Sequence, residues 1–196
     1  MGLTFLVIPV MRRRKSGNPG LRSDLATVHR EYLRVNPGLA MVPDFTPELM
    51  HGAVGSVLLD DGSAGCSIWS NENLMAEEVV RLPPALRMAR RLLAPLVRVN
   101  VVPAIPRSGE VLKSWFLFDL FARGPADLRA LLRTVNAQAI ENGRTVFYVL
   151  VQDGDPIRHR IRSAGFFFMT VPYVCLAKGD KTPAEGERLY LDIRDI

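Results

Sequence analysis

Asp155-Pro156-Ile157-Arg158-His159-Arg160-Ile161-Arg162-Ser163-Ala164-Gly165-Phe166-Phe167-Phe168 packs a helix start, a helix stop and a strand entry into one short run. Asp155 can cap a helix that opens on Pro156, whose missing N–H costs nothing at the first helical position. Ile157, Ile161 and Ala164 fall on one face, and Arg158, Arg160 and Arg162 point elsewhere. Gly165 is suited to the left-handed residue that ends a helix, after which Phe166 to Leu176 reads as a strand.

Upstream the pattern continues. Thr145 to Val151 is a nearly unbroken apolar run, expected to be a strand buried on both faces. Before it, Pro125 to Asn142 reads as a long helix: Leu128, Leu131, Leu132, Val135 and Ala139 form one stripe, Pro125 opens it and Gly143 stands just past its end. Leu112 to Phe121 is aromatic and extended, the third strand candidate of this half. The N-terminal part reads as strand Leu3 to Val10, helix Leu21 to Val35 (Leu25, Val28, Tyr32 and Val35 at helical spacing) and a hairpin. The hairpin is Ala53 to Leu59, an Asp60-Asp61-Gly62-Ser63 turn, and Ala64 to Trp69. Pro84 to Val99 reads as a basic amphipathic helix, and Leu189 to Ile193 as a last short strand.

The chain has 196 residues, of which 48% are hydrophobic and 23% charged, the balance of a folded domain with one core. Cys66 and Cys175 are too few for a disulfide framework, show no metal-ligand spacing, and read as small buried hydrophobes. The apolar N-terminus is too short to span a bilayer, and its basic run Arg12 to Lys15 follows it where a secretory signal has the charges first. A cytoplasmic protein with no integral membrane segment is therefore expected. Of the net charge of +5, the segment Val79 to Gly109 supplies more than all: six arginines and no acidic residue. It could be a solvated face or a surface for an anionic ligand, membrane or partner. No interleaved aromatic motif accompanies it, which argues against nucleic acid.

With LKSWFLFDLF, ARGPADLRALLRTVNAQAIENG, TVFYVLV and DPIRHRIRSAGF in this order, the chain resembles the GNAT superfamily of N-acetyltransferases, most closely over Val111 to Leu176. The resemblance implies a single α/β domain over residues 1–196 with a central mixed β-sheet flanked by helices. Residues 3–70 would form its N-terminal strand, helix and hairpin, 84–99 the basic helix, and 111–177 the acyl-CoA-binding half. It also implies acetyl-CoA as the acyl donor, a small-molecule or peptide amine as the acceptor, and no metal. A homodimer stays open.

In the family the pyrophosphate sits on backbone N–H groups where the central strand meets the long helix, an anion held at a helix N-terminus. The matching positions here are Phe121, Ala122, Arg123, Gly124, Pro125 and Ala126. Gly124 and Ala126 keep the small residues of the pattern. Phe121 replaces its leading Gln or Arg, Pro125 has no N–H to offer, and Asp127 adds a negative charge. By the same resemblance Arg158, on the helix flanking the coenzyme tail, is a candidate contact.

The family's general-acid tyrosine, four residues before the Gly-Phe turn, is Ile161 here. His159, Tyr148 and Tyr173 are candidate substitutes, His159 and Tyr148 reading equally as an exposed helix residue and a buried aromatic. Asp119, on an extended strand, would share a face with Trp115, Leu117 and Phe121; desolvation there raises a carboxylate's pKa and suits a general base, or a core Asp held by backbone donors. Glu72, Glu77 and Glu78 lie where the family gathers substrate-side carboxylates. Two functions are compatible with this pattern: an N-acetyltransferase, or a non-catalytic module of the same fold that binds a ligand or another chain.

Overall fold

A computed structural model describes residues 2–11, 24–39, 42, 52–70, 77–98 and 105–174. In chain order these form β1 (Gly2–Pro9), α1 (Leu25–Val35), β2 (Ala53–Leu58), β3 (Ala64–Trp69), β4 (Glu77–Glu78) and α2 (Pro84–Arg98). They continue as β5 (Val111–Leu112), β6 (Ser114–Ala122), α3 (Pro125–Glu141), β7 (Val146–Gln152), α4 (Ile157–Ser163) and β8 (Met169–Val174). Cys175 and the expected strand Leu189 to Ile193 lie outside the described residues.

The chain is α/β, with one mixed six-stranded sheet ordered β2-β3-β6-β7-β1-β8 and helices packed on it. Its centre is the β6-α3-β7 unit, whose strands run parallel as a helical crossover requires. Every other ladder of this sheet is antiparallel. The N-terminal strand is drawn between two C-terminal ones: Leu3 pairs with Gln152 on one side and Tyr173 on the other. Asn136 of α3 fixes the exit of β1, accepting from the Met11 N–H and donating to its carbonyl, both at 2.7 Å.

The stripe expected on α3 is the core. Leu128, Leu131, Leu132, Val135 and Ala139 are fully buried, against Trp115 and Leu117 of β6, Phe147 and Val149 of β7, and Ile161 of α4. On the opposite side of β6 and β7 a row of rings crosses four strands. Phe116 lies 5.5 Å from Trp69 and stacks on Tyr148 at 4.9 Å, and Tyr148 meets Phe5 edge-on at 6.1 Å. Such contacts add to the burial of the rings themselves.

Both helices of the central half end as their glycines suggested. In α3 the Gly143 amide donates to the Ile140 carbonyl and Arg144 to Ala139; in α4 the Gly165 amide donates to Arg162 and Phe166 to Ile161. Gly143 and Gly165 have φ of +65° and +82°, so each closes a Schellman turn that satisfies otherwise orphaned carbonyls. Arg129 of α3 then binds the last carbonyls of the α4 turn, Ala164 at 3.0 Å and Ser163 at 3.1 Å.

Three expectations need correction. Leu112 to Phe121 is not one strand: Lys113 separates β5, which pairs with β4 outside the main sheet, from β6. The strand after α4 begins at Met169 and not at Phe166: Phe166 and Phe168 pack on the core, and the ladder with β1 starts only at Met169. Finally, β7 is not sealed on both faces, since Tyr148, Leu150 and Gln152 on its second face are only half-buried.

Candidate functional site

β6 and β7 pair from Ser114↔Val146 to Leu117↔Val149 and no further, although β6 runs on to Ala122 and β7 to Gln152. The two strands part at their carboxyl ends, and a cavity of about 300 Å³ occupies the gap. Its walls are the separated strand ends, Tyr32 and Val35 of α1, and the start of α4. Carboxyl ends of parallel strands are where open α/β sheets bind ligands, because loops and helix starts converge there.

Asp119 sits where the strands part, and it alone among the described non-glycine residues has a positive φ, +51°. The register explains it. Ser67 of β3 faces Phe118, but Gly65 faces Phe121, so β6 carries one extra residue, a bulge. The bulge corrects the face expected for this strand. Leu120 and Ala122, not Phe121, follow Trp115 and Leu117 toward the α3 core, and the Phe121 ring lies against Gly65.

The Asp119 carboxylate is enclosed and sits 3.1 Å from Nδ1 of His29, itself almost wholly buried on α1. The contact is a buried hydrogen bond that ties α1 to β6, and of the two residues Asp119 lines the cavity and His29 does not. His29 is the residue that sequence reasoning missed. Its signal was available: it lies in the same helical stripe as Leu25 and Tyr32.

Two arginines flank the cavity. Arg123 follows β6 directly, its backbone N–H donating to the Ser63 carbonyl at 2.9 Å and its side chain exposed. Arg160 of α4 reaches across the gap and donates from Nη1 to the Ala122 carbonyl at 3.3 Å. Arg158, the candidate contact on this helix, is exposed and does not line the cavity. His159 is likewise an exposed residue of α4 away from the cavity wall.

The expected phosphate cradle is divided. Phe121, Ala122 and Arg123 line the cavity; Gly124, Pro125 and Ala126 do not. Gly124 is the N-cap of α3 in extended conformation, Pro125 opens the helix, and a Cβ on Gly124 would come 3.4 Å from the Asp127 carboxylate. Ile161, at the position of the family's tyrosine, is fully buried in the core.

Tyr148 lies on the other face, in the row of rings, and its hydroxyl donates to Glu77 Oε2 of β4 at 2.8 Å. Burial, and then the Glu77 carboxylate, push the phenol above its ordinary value of 10. Glu78 is exposed, Glu72 lies outside the described residues, and Tyr173 falls in β8. Cys66 is buried, and burial, reinforced by nearby Asp119, pushes its thiol up, which suits the inert role expected of it.

Among the described residues no helix is long and apolar enough to cross a membrane, and no three His, Cys, Asp or Glu are grouped to hold a metal ion. No protein-family model matches the chain, and no curated protein matches it either.

Proposed function

We propose that the chain is an acyl-CoA-dependent N-acyltransferase of GNAT type, moving an acetyl group from coenzyme A to a small-molecule or peptide amine. The observation that carries this reading is the parting of parallel strands β6 and β7 past Leu117 and Val149. It releases the β7-facing backbone of β6 from the ladder at the point where the cavity opens. In the proposed reaction the amine nitrogen attacks the thioester carbonyl, the C–N bond forms, and the C–S bond then breaks. N–H groups on the freed edge of β6 would stabilise the oxyanion, a stabilisation that needs only fixed donors in a dry site. The proton lost by the amine ends on the departing thiolate. Asp119, which lines the cavity, would relay that proton, its carboxylate held at 3.1 Å by the buried His29 of α1. Arg123 and Arg160 supply positive charge beside the cavity for the phosphates of the donor.

Acetyl-CoA binding tests this reading. At a hundredfold excess over the dissociation constant the native state should gain ~2.7 kcal/mol. At about 2–4 °C per kcal/mol for a chain of this size, melting should rise by roughly 5–11 °C. Desulfo-CoA should retain most of the shift, and Arg160→Glu should reduce it more at low salt than at high. Asp119→Asn keeps a residue that tolerates left-handed backbone, and it should lower kcat while leaving the thermal shift in place. No heat and no shift at millimolar acetyl-CoA would overturn the proposal.

A second reading is favoured by a specific observation. Gly124, Pro125 and Ala126 lie off the cavity, and Asp127 places a carboxylate at the start of α3. A non-catalytic module would keep the fold and bind a ligand without turnover. Full acetyl-CoA binding with no transfer to a broad amine panel would select it.

A further inference from the structure

The helix α2 takes no part in lining the cavity. At its i, i+4 spacing Met88, Leu92 and Leu96 fall in line, with Ala85, Ala89 and Leu93 beside them; Arg87, Arg90 and Arg91 take the other side. That is the pattern of a helix with an apolar face to bury, yet only Ala89, Leu93 and Val97 along one flank are half-buried, and the Met88, Leu92 and Leu96 row is left exposed. Met88 is 63% exposed and Leu92 69%, Leu86 and Leu96 are exposed too, and Val80 just before the helix is 84% exposed. No described strand or helix packs along α2, and none of its described side chains is buried. A helix of 15 residues with a proline at position 95 is marginal without a partner for that face.

We infer that α2 is a membrane-surface helix that lies in the plane of an anionic bilayer, its Leu and Met face among the acyl chains and its arginines at the headgroups. Charge identifies the occupant. From Val79 to Gly109 the chain has six arginines and not one acidic residue, so the rim of the apolar face is cationic throughout. An anionic leaflet offers both complements side by side along the whole helix: negative headgroups, and apolar chains immediately beneath them. The length excludes spanning, since a transmembrane helix needs about 20 apolar residues. The inference is independent of the acyltransferase reading.

The test is co-sedimentation of the full chain with vesicles of phosphatidylcholine alone and of equal parts phosphatidylcholine and phosphatidylglycerol. Binding is expected to the mixed vesicles and not to the neutral ones. The double variant Met88→Glu, Leu92→Glu should lose at least tenfold in partitioning. Arg87→Gln and Arg91→Gln should each lose about fivefold, the equivalent of ~1 kcal/mol per basic residue at an anionic surface. Far-UV circular dichroism of each variant checks that the sheet and core are intact, as exposed positions should allow. Absence of binding to mixed vesicles would overturn the inference, as would binding that Met88→Glu, Leu92→Glu leaves unchanged, which would reduce it to attraction by charge. A concentration-dependent dimer that Leu92→Glu dissociates, without vesicle affinity, would assign the face to a second copy and overturn it equally.

Discussion

Helices α2 and α3 begin alike and end up in opposite surroundings. Each starts on a proline and repeats apolar residues at helical spacing. In α3 the stripe from Leu128 to Ala139 is wholly buried; in α2 Met88, Leu92 and Leu96 are exposed. Periodicity therefore says that a face requires cover, and it is silent on who provides it. Connectivity supplies the answer for α3. It joins two adjacent parallel strands, and so it must lie across them. α2 joins the two short strands β4 and β5, whose pairing constrains nothing about where the helix between them rests.

The contrast can be broken or sharpened by substitution. Leu131→Ala or Leu132→Ala should destabilise by about 2–5 kcal/mol, because each empties part of a closed core; urea unfolding measures it, and a change under ~0.5 kcal/mol would refute the burial of this face. Gly165→Ala should cost about 1–2 kcal/mol. A Cβ there meets nothing within 4 Å, so the loss is that of forcing an L-residue to φ of +82°.

Tyr148→Phe should cost roughly 0.5–1.5 kcal/mol at neutral pH through the lost bond to Glu77. It also has a pH signature. The folded state holds the phenolic proton more tightly than the unfolded chain, whose value is near 10. The stability linked to this proton is fully present below pH 10 and is lost as pH rises through the folded pKa. The parent should therefore lose stability above pH 10 more steeply than Tyr148→Phe, and parallel melting curves across that range would contradict the assignment. Smallest of all, Leu92→Ser should stay within about 0.5 kcal/mol in the absence of lipid. A cost like that of Leu131→Ala would mean that the chain itself covers α2.

Much of the central half could be read from sequence because its signals are local. Pro125 and Gly143 bracket α3, Gly165 ends α4, and the leucine stripe sets the buried face without reference to anything distant. The hairpin was equally local: Gly62 at φ of +64° and the Leu59 amide on the Ala64 carbonyl close it. What could not be read depends on partners far along the chain. The seat of β1 between β7 and β8 leaves no mark in its own residues, since an apolar strand suits any interior position. The extra residue at Asp119 is visible only against β3, and without it alternation assigns Phe121 to the wrong face. That Arg160 and not Arg158 lines the cavity is hidden for a related reason. Both are arginines of one short helix, and only the parting of β6 from β7 decides which of them reaches Ala122.

The seat of β1 has a consequence for synthesis. Gly2–Pro9 leaves the ribosome well before either strand that flanks it, since both lie beyond residue 145. Until they emerge, an apolar strand with two unpaired edges is offered to any passing chain. Ladders of such high contact order form slowly, and the half-made sheet is an aggregation-prone species that a holding chaperone would bind. A version with β1 moved to follow β8 by circular permutation would have its partners already present, and should refold faster and with less loss at high concentration.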